Sequence, residues 1–141
     1  MTKTRDMSSY ELRATLAMYT AVHLEFDWGT AKTWTAATGE KGPAFARLVN
    51  DCHHFDHLVL ETALYKSPID NTTPAELKAL GEKLMEIKPQ EVVILGGGGS
   101  AAGTKGVKYA TKPTRDKIIE SLAEATGVSV HPDEYEELLP A

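Results

Sequence analysis

The chain has 141 residues, a formal net charge of −5 and a single cysteine. This length suits one domain with a sizeable core, and the acidic balance argues against a nucleic-acid or anionic-membrane binder, since both need a basic surface. One cysteine excludes an internal disulfide and a multi-cysteine zinc site, and no apolar run approaches the ~20 residues of a membrane span. We therefore expect a cytoplasmic protein or, if the protein is viral, one found in the host cytoplasm or the virion.

The first helix is predicted from Ser8 to about Asp27. Ser8 and Glu11 have the spacing of a capping box, and apolar residues then recur on one helical face. Residues 29–42 are small, rich in threonine and bounded by glycines, so they predict a loop anchored by Trp34.

Two further helices are predicted before the character of the sequence changes. Pro43 suits a helix start, and an apolar stripe at helical spacing extends this second helix to about Lys66. The segment 73–76, Thr-Pro-Ala-Glu, supplies a capping threonine, a proline in the first turn and a glutamate in the capping-box position. The N-terminal part, about 8–88, is therefore predicted to contain three helices.

The remaining part, about residues 90–141, is predicted to mix strands and helices. A helix over 113–126 ends at Gly127, which occupies the position of a left-handed cap. β-Branched residues and alternating polarity predict short strands near 91–95, 107–110 and 128–130. The expected fold class is α+β, predominantly α-helical, in a single domain that spans residues 1–141.

The segment 50–61, NDCHHFDHLVLE, holds three of the five histidines. On a helix that turns about 100° per residue, Asp56 faces the apolar side, with His53 and His57 nearer its edge. His23 falls on the apolar face of the first predicted helix, so His23 and Asp56 are expected to meet. A buried carboxylate needs a partner, and three interpretations stay open: a structural His23–Asp56 pair, Asp56 against a partner subunit, or a zinc or iron site formed by His53, Asp56, His57 and His23.

The stretch LGGGGSAAGTKG, residues 95–106, resembles a phosphate loop that follows a strand. Gly98 and Gly103 have the outer spacing of that motif, but Thr104 and Lys105 stand in the reverse of the required order. A flexible loop is the simpler interpretation, and a linker of the engineered Gly-Ser type is another. Binding of a phosphate or nucleotide ligand through Gly98, Gly103, Thr104 and Lys105 is kept as an alternative.

No stretch matches a catalytic or DNA-reading motif, and Cys52, on an apolar stripe, is interpreted as a small core residue. The predicted function is therefore a non-enzymatic assembly or interaction subunit without a cofactor. It would bind a protein partner or itself as a homo-oligomer, for example in a virus particle, through a C-terminal surface that includes Tyr135, Leu138 and Leu139. The alternatives are a small helical zinc or iron protein or hydrolase, and a phosphate or nucleotide binder.

Overall fold

The computed structural model describes residues 21–133 of the chain. Its centre is a four-stranded parallel sheet, flanked by a two-stranded antiparallel pair. The parallel strands, in their order across the sheet, are β1 (Val22–Glu25), β2 (Leu58–Ala63), β4 (Glu91–Leu95) and β6 (Val130–Pro132). The antiparallel pair is β3 (Tyr65–Ser67) with β5 (Lys108–Tyr109).

Helices provide the crossovers that parallel strands require. They are α1 (Ala31–Thr38), α2 (Gly42–Asp51), α3 (Pro74–Ile87) and α4 (Lys112–Thr126), and a single 3-10 turn, Cys52–His54, follows α2. The strand order follows the chain order, so each connection moves in the same direction across the sheet. Among residues 21–133, no helix is long and apolar enough to cross a membrane.

The hydrophobic core lies between the helices and one face of the sheet. Alternate residues of a strand point to the same face, and on this face Leu60, Val92 and Ile94 are at most 1% exposed. The helices contribute buried residues to the same cluster, including Phe45, Val49, Leu80, Leu84, Ile118 and Leu122. The opposite face carries polar residues, such as His23 and Glu61, which are hydrogen-bonded to each other across β1 and β2.

The two helices with strong end signals form where the sequence predicts them. Thr73 Oγ1 accepts a hydrogen bond from the Glu76 N–H at 3.3 Å, which caps α3. The helix predicted over 113–126 is α4, and Gly127 ends it in the left-handed region at φ 71°. These helices are encoded locally.

The predicted α+β, predominantly helical fold with a three-helix N-terminal part is wrong, because the fold is α/β with a parallel sheet. Val22–Glu25, placed at the end of the first predicted helix, is a strand, and the second predicted helix stops at Asp51 and gives way to β2. A buried parallel strand is apolar almost throughout, so over six residues its apolar positions also fit helical spacing. Residues 8–20 of the first predicted helix lie outside the described part.

The predicted loop at 29–42 is also wrong, because it contains α1. Thr30 caps this short helix by accepting from the Thr33 N–H, and Gly39 ends it at φ 77°. Trp34, expected as an anchor, is buried, and its ring lies 5.6 Å from that of Phe45. Tertiary packing of one tryptophan thus stabilises a helix of otherwise small residues.

The strands predicted in the second part agree better with the structure. The first is β4, over 91–95, and the second contains β5. The third, predicted near 128–130, is shifted to Val130–Pro132.

Candidate ligand-binding site

The carboxyl ends of the four parallel strands lie at one edge of the sheet, where α/β proteins bind their ligands. β1 leads directly into Asp27 and Trp28, and β2 leads into Tyr65. β4 leads into the glycine loop, residues 96–107. Side chains from these three connections meet at this edge.

The Asp27 carboxylate is the centre of a buried hydrogen-bond network. Its Oδ1 accepts from the Ala63 N–H at 2.8 Å, and its Oδ2 accepts from the N–H and the hydroxyl of Ser100 at 2.8 and 2.6 Å. Asp27 itself is 2% exposed. One carboxylate therefore fastens the end of β2 and the glycine loop to the end of β1.

The Ser100 hydroxyl has a defined direction in this network. It accepts from the Trp28 indole N–H at 2.8 Å, and an indole nitrogen can only donate. The hydroxyl proton is therefore directed to Asp27. A second lone pair of Ser100 Oγ is left for another donor, and Ser100 is an exposed residue.

Tyr65 holds the glycine loop from the opposite side. Its hydroxyl donates to the Gly98 carbonyl at 2.8 Å and accepts from the Ala101 N–H at 3.1 Å. Its ring stacks on Trp28 with centroids 5.2 Å apart. Gly99, at φ 82°, lies against this hydroxyl and against Asp27, where a larger residue would not fit.

Asn71 joins the ends of two strands through its side chain. Its Nδ2 donates to the carbonyls of Asp27 and Ala63 at 2.8 and 2.9 Å, and its Oδ1 accepts from the Tyr65 N–H at 2.7 Å. In the described part of the chain, no buried side-chain nitrogen or oxygen lacks a hydrogen-bond partner. The network is thus complete without a ligand and holds the edge of the sheet in one shape.

Burial changes the acidity of two members of the network. Desolvation raises the pKa of Asp27 above its ordinary 3.8, against the opposing effect of the hydrogen bonds from Ser100 and Ala63. Desolvation, and then the nearby charge of Asp27, raise the pKa of Tyr65. The tyrosine therefore stays protonated and remains a donor to the loop.

The raised pKa of Asp27 has a consequence for stability. The folded chain binds the proton of Asp27 more tightly than the unfolded chain does, because the folded-state pKa lies above 3.8. The stability that this group contributes is therefore fully present below pH 3.8 and is lost as the pH rises through the folded-state pKa. We expect the free energy of unfolding of the wild type, relative to Asp27→Asn, to fall as the pH rises through the raised pKa of Asp27. Urea denaturation from pH 4 to 8 measures it.

The exposed Asp56 provides the matched control for this experiment. The difference between the wild type and Asp56→Asn should change little over the same pH range. A wild-type advantage over Asp27→Asn that grows with pH would contradict the raised pKa of Asp27.

A cleft of about 820 Å³ lies beside the Asp27 network. The edge of β1 from His23 to Trp28 forms one wall, α1 and α2 form another, and Gly99 and Ser100 of the glycine loop complete it. Its aromatic lining comes from Phe26, Trp28, Trp34 and Phe45. Its charged lining comes from His23, Glu25, Asp27, Glu40, Arg47 and Asp51.

The structure does not bring the residues of the predicted metal site together. His23 is an exposed residue of β1, and its Nδ1 lies 3.0 Å from Glu61 Oε1, while His57 is hydrogen-bonded to Gln90. Asp56 is exposed, so the predicted inward His23–Asp56 pair is wrong. The reason is that the chain leaves the helix after Asp51, and the turn-counting that oriented Asp56 no longer applies.

No group of three His, Cys, Asp or Glu side chains within residues 21–133 is placed to hold a metal ion. His53 lies in the 3-10 turn, exposed to solvent. Cys52 is 2% exposed, which confirms its interpretation as a core residue. Burial, and then the charge of Asp51, raise the pKa of its thiol to about 12.

The residues of the predicted phosphate site lie on the glycine loop. Gly98 presents its carbonyl to the hydroxyls of Tyr65 and Tyr109, whereas Gly103, Thr104 and Lys105 are exposed. The loop packs against the strand ends, so its Gly-Ser composition does not make it a free linker. The predicted interaction residues Tyr135, Leu138 and Leu139 lie outside the described residues.

Sequence reasoning missed the residues that form the network and the cleft, chiefly Asp27, Trp28, Tyr65, Asn71 and Ser100. Two segments of the sequence could have indicated these residues, because in each a short run typical of a strand ends in a polar or glycine-rich turn. They are VHLEFDW and VVILGGGGS. Parallel strands place such ends at one edge of a sheet. The signal was hidden because the first run was assigned to a helix.

No protein-family model matches the sequence, and no curated protein matches it. Among solved structures, the chain is similar to the crystal structure of a domain of pyruvate-formate lyase-activating enzyme from Bacteroides vulgatus ATCC 8482, with a TM-score of 0.63. The two are 10% identical in sequence, and the similarity covers 87% of this chain and 73% of that chain. At this identity the likeness shows the fold alone.

This likeness corrects one interpretation made from the sequence. The description of the chain as α-helical is wrong, because the chain is α/β with a parallel sheet, and the solved neighbour shares this fold.

Proposed function

We propose that this chain is a small-molecule-binding α/β domain whose ligand occupies the cleft beside Asp27. The observation that carries the proposal is the position of the cleft. It runs along β1, and the part of it that reaches Trp28 and the loop after β4 lies at the edge of the sheet where parallel α/β folds bind ligands.

The chemistry of the cleft supports a small organic ligand. Its volume of about 820 Å³ is within the ~300–1,000 Å³ usual for ligand pockets. Aromatic side chains, each at most 8% exposed, form the buried part of its lining, and the exposed Ser100 hydroxyl supplies an oriented polar contact. The Asp27 network fixes the wall formed by the strand end and the glycine loop, which reduces the ordering needed on binding and favours affinity.

The phosphate-binding alternative has less support. A phosphate loop offers several free backbone N–H groups to the anion. Here the N–H groups of Ser100, Ala101 and Thr104 already donate to protein acceptors. The helix that follows the loop begins at Lys112, after β5, rather than at the loop itself.

The other expectations stay predictions. An assembly role, a protein partner or self-association, and a zinc or iron site each rest on the sequence arguments alone. A cytoplasmic location draws support from Cys52, which is free and buried, as is usual for thiols in a reducing compartment.

Filling the cleft should abolish ligand binding. Ala44 lines the cleft on α2, so Ala44→Trp places an indole in the cleft, whereas Ala46→Trp, on the same helix, adds an indole to an exposed position. We expect fragments that ligand-observed NMR identifies on the wild type to bind Ala46→Trp with the same affinity. Their affinity for Ala44→Trp should be at least tenfold lower. Circular dichroism checks that both variants fold.

A fragment library that yields no binder, or binders that ignore Ala44→Trp while the variant is folded, would refute the proposed function. Since Ala44 is half-buried, Ala37→Trp, in the part of the cleft lining that α1 provides, serves as a second blocking variant. Its neighbour Ala36 is exposed and provides the control Ala36→Trp.

A further inference from the structure

We infer that the ligand of this cleft is a small zwitterion, a free amino acid with a large apolar side chain, held through its carboxylate by Arg47 and through its ammonium group by Asp51. This inference deepens the proposed function and rests on it. It depends on which charged side chains of the cleft have protein partners and which do not.

Most charged groups that line the cleft are already engaged. His23 pairs with Glu61, and Asp27 accepts hydrogen bonds from Ala63 and Ser100. Glu25 and Glu40 also have interaction partners. Each of these groups therefore has a protein partner in the absence of a ligand.

Arg47 and Asp51 differ from the other charged residues of the cleft. Neither side chain forms a hydrogen bond or an ion pair with any residue in the described range 21–133, although both line the cleft. Arg47 is exposed and Asp51 is half-buried. The cleft thus offers one free guanidinium and one free carboxylate, so its free charges sum to zero.

The helix sets the separation of these two charges. Ala44, Arg47, Leu48 and Asp51 follow the spacing that places residues on one face of α2, and all four line the cleft. Residues four apart are separated by about 6 Å along the helix axis. The Arg47 side chain is long enough to span part of this separation, so a ligand with a carboxylate and an ammonium group on one carbon can bridge Arg47 and the shorter Asp51. A ligand with a single charge leaves one of them unpaired.

The guanidinium suits a carboxylate in particular. Its planar set of donors matches the two oxygens of a carboxylate in a paired geometry, and the carboxylate of Asp51 accepts from an ammonium group. A phosphate monoester would also satisfy Arg47 but would be repelled by Asp51. The opposite signs of the two free groups therefore select a zwitterion over an anion or a cation.

The apolar lining defines the rest of the ligand. The apolar residues of the lining include Leu24, Phe26, Trp34, Phe45 and Leu48. Burying an apolar side chain against such a surface contributes roughly 25 cal/mol per Å². An aromatic or large aliphatic amino acid is therefore favoured over glycine or serine.

The test compares three ligands by isothermal titration calorimetry: L-phenylalanine, 3-phenylpropionate, which lacks the ammonium group, and 2-phenylethylamine, which lacks the carboxylate. L-Phenylalanine should bind the wild type about 10- to 100-fold more tightly than either analogue, since each lost contact is a charged hydrogen bond. Arg47→Gln should abolish the advantage of L-phenylalanine over 2-phenylethylamine. Asp51→Asn should abolish its advantage over 3-phenylpropionate.

Two exposed residues outside the cleft lining provide matched controls, Lys41→Gln and Asp56→Asn, and both should leave all three affinities unchanged. Three ligands of equal affinity, or a preference that survives Arg47→Gln and Asp51→Asn, would overturn the zwitterion assignment. So would fragments that bind in an Ala44→Trp-sensitive manner while L-phenylalanine does not bind, and this result would leave the proposed function standing. The absence of any fragment that is sensitive to Ala44→Trp would remove both.

Discussion

Gly99→Ala is expected to lower the free energy of unfolding by about 3 kcal/mol, the sum of a backbone cost of roughly 1 kcal/mol and the overpacking of a closed site. Gly99 has a φ of 82°, which an alanine adopts with strain. A Cβ there would lie 2.6 Å from the Cβ of Ala63 and 2.9 Å from Asp27 Oδ2, and would also meet the Tyr65 hydroxyl. Urea denaturation followed by circular dichroism measures the change.

Two neighbouring glycines separate the contributions to this effect. A Cβ on Gly98 meets nothing within 4 Å, but φ is 72°, so Gly98→Ala should show the backbone cost of about 1 kcal/mol alone. Gly97 has neither a positive φ nor a contact within 4 Å, so Gly97→Ala should change stability by less than about 0.5 kcal/mol. Equal effects at Gly97 and Gly99 would contradict the packing of the loop on Asp27.

Asn71→Asp is expected to cost about 3–5 kcal/mol, although the two side chains have nearly the same shape. The amide nitrogen of Asn71 donates to the carbonyls of Asp27 and Ala63, and a carboxylate oxygen in its place would face both carbonyls as a third acceptor. The position is 2% exposed, so the new charge would also be desolvated. Protonation of the new carboxyl restores one donor, so the destabilisation should be smaller at pH 4 than at pH 8.

Asn50 is the other asparagine of the chain and lies exposed on α2. Asn50→Asp places the same change in solvent, near a helix C-terminus, and should cost less than about 1 kcal/mol. Similar costs at the two positions, or an Asn71→Asp cost that does not depend on pH, would show that the Asn71 amide does not hold the ends of β1 and β2.

The hydrogen-bond network around Asp27 is expected to determine stability, and the free charges of the cleft are expected to determine ligand affinity. Asp27, Tyr65 and Asn71 have protein partners and shape the strand ends, and their substitutions should act first on stability. Arg47 and Asp51 have no such partners among residues 21–133, so their substitutions should leave stability nearly unchanged and act on ligand affinity. A stability measurement on each variant therefore distinguishes the two groups.

The sequence by itself determined the elements whose signals lie within a few residues. The capping threonine, proline and glutamate at 73–76 define the start of α3, and Gly127 defines the end of α4. The run at 91–95 becomes β4, because its β-branched residues fit the pleated, partly buried surface of a strand. Each of these signals acts through hydrogen bonds or sterics of neighbouring residues.

Only the tertiary structure decided the parallel sheet and the site at its edge. Leu58–Ala63 fits both a helix and a buried strand, and its pairing with β1 and β4 selects the strand. That choice turns Asp56 to solvent and brings Asp27, Tyr65 and Ser100 together from positions up to 73 residues apart. Contacts at such separations depend on the topology of the whole chain, and no local pattern of residues encodes them.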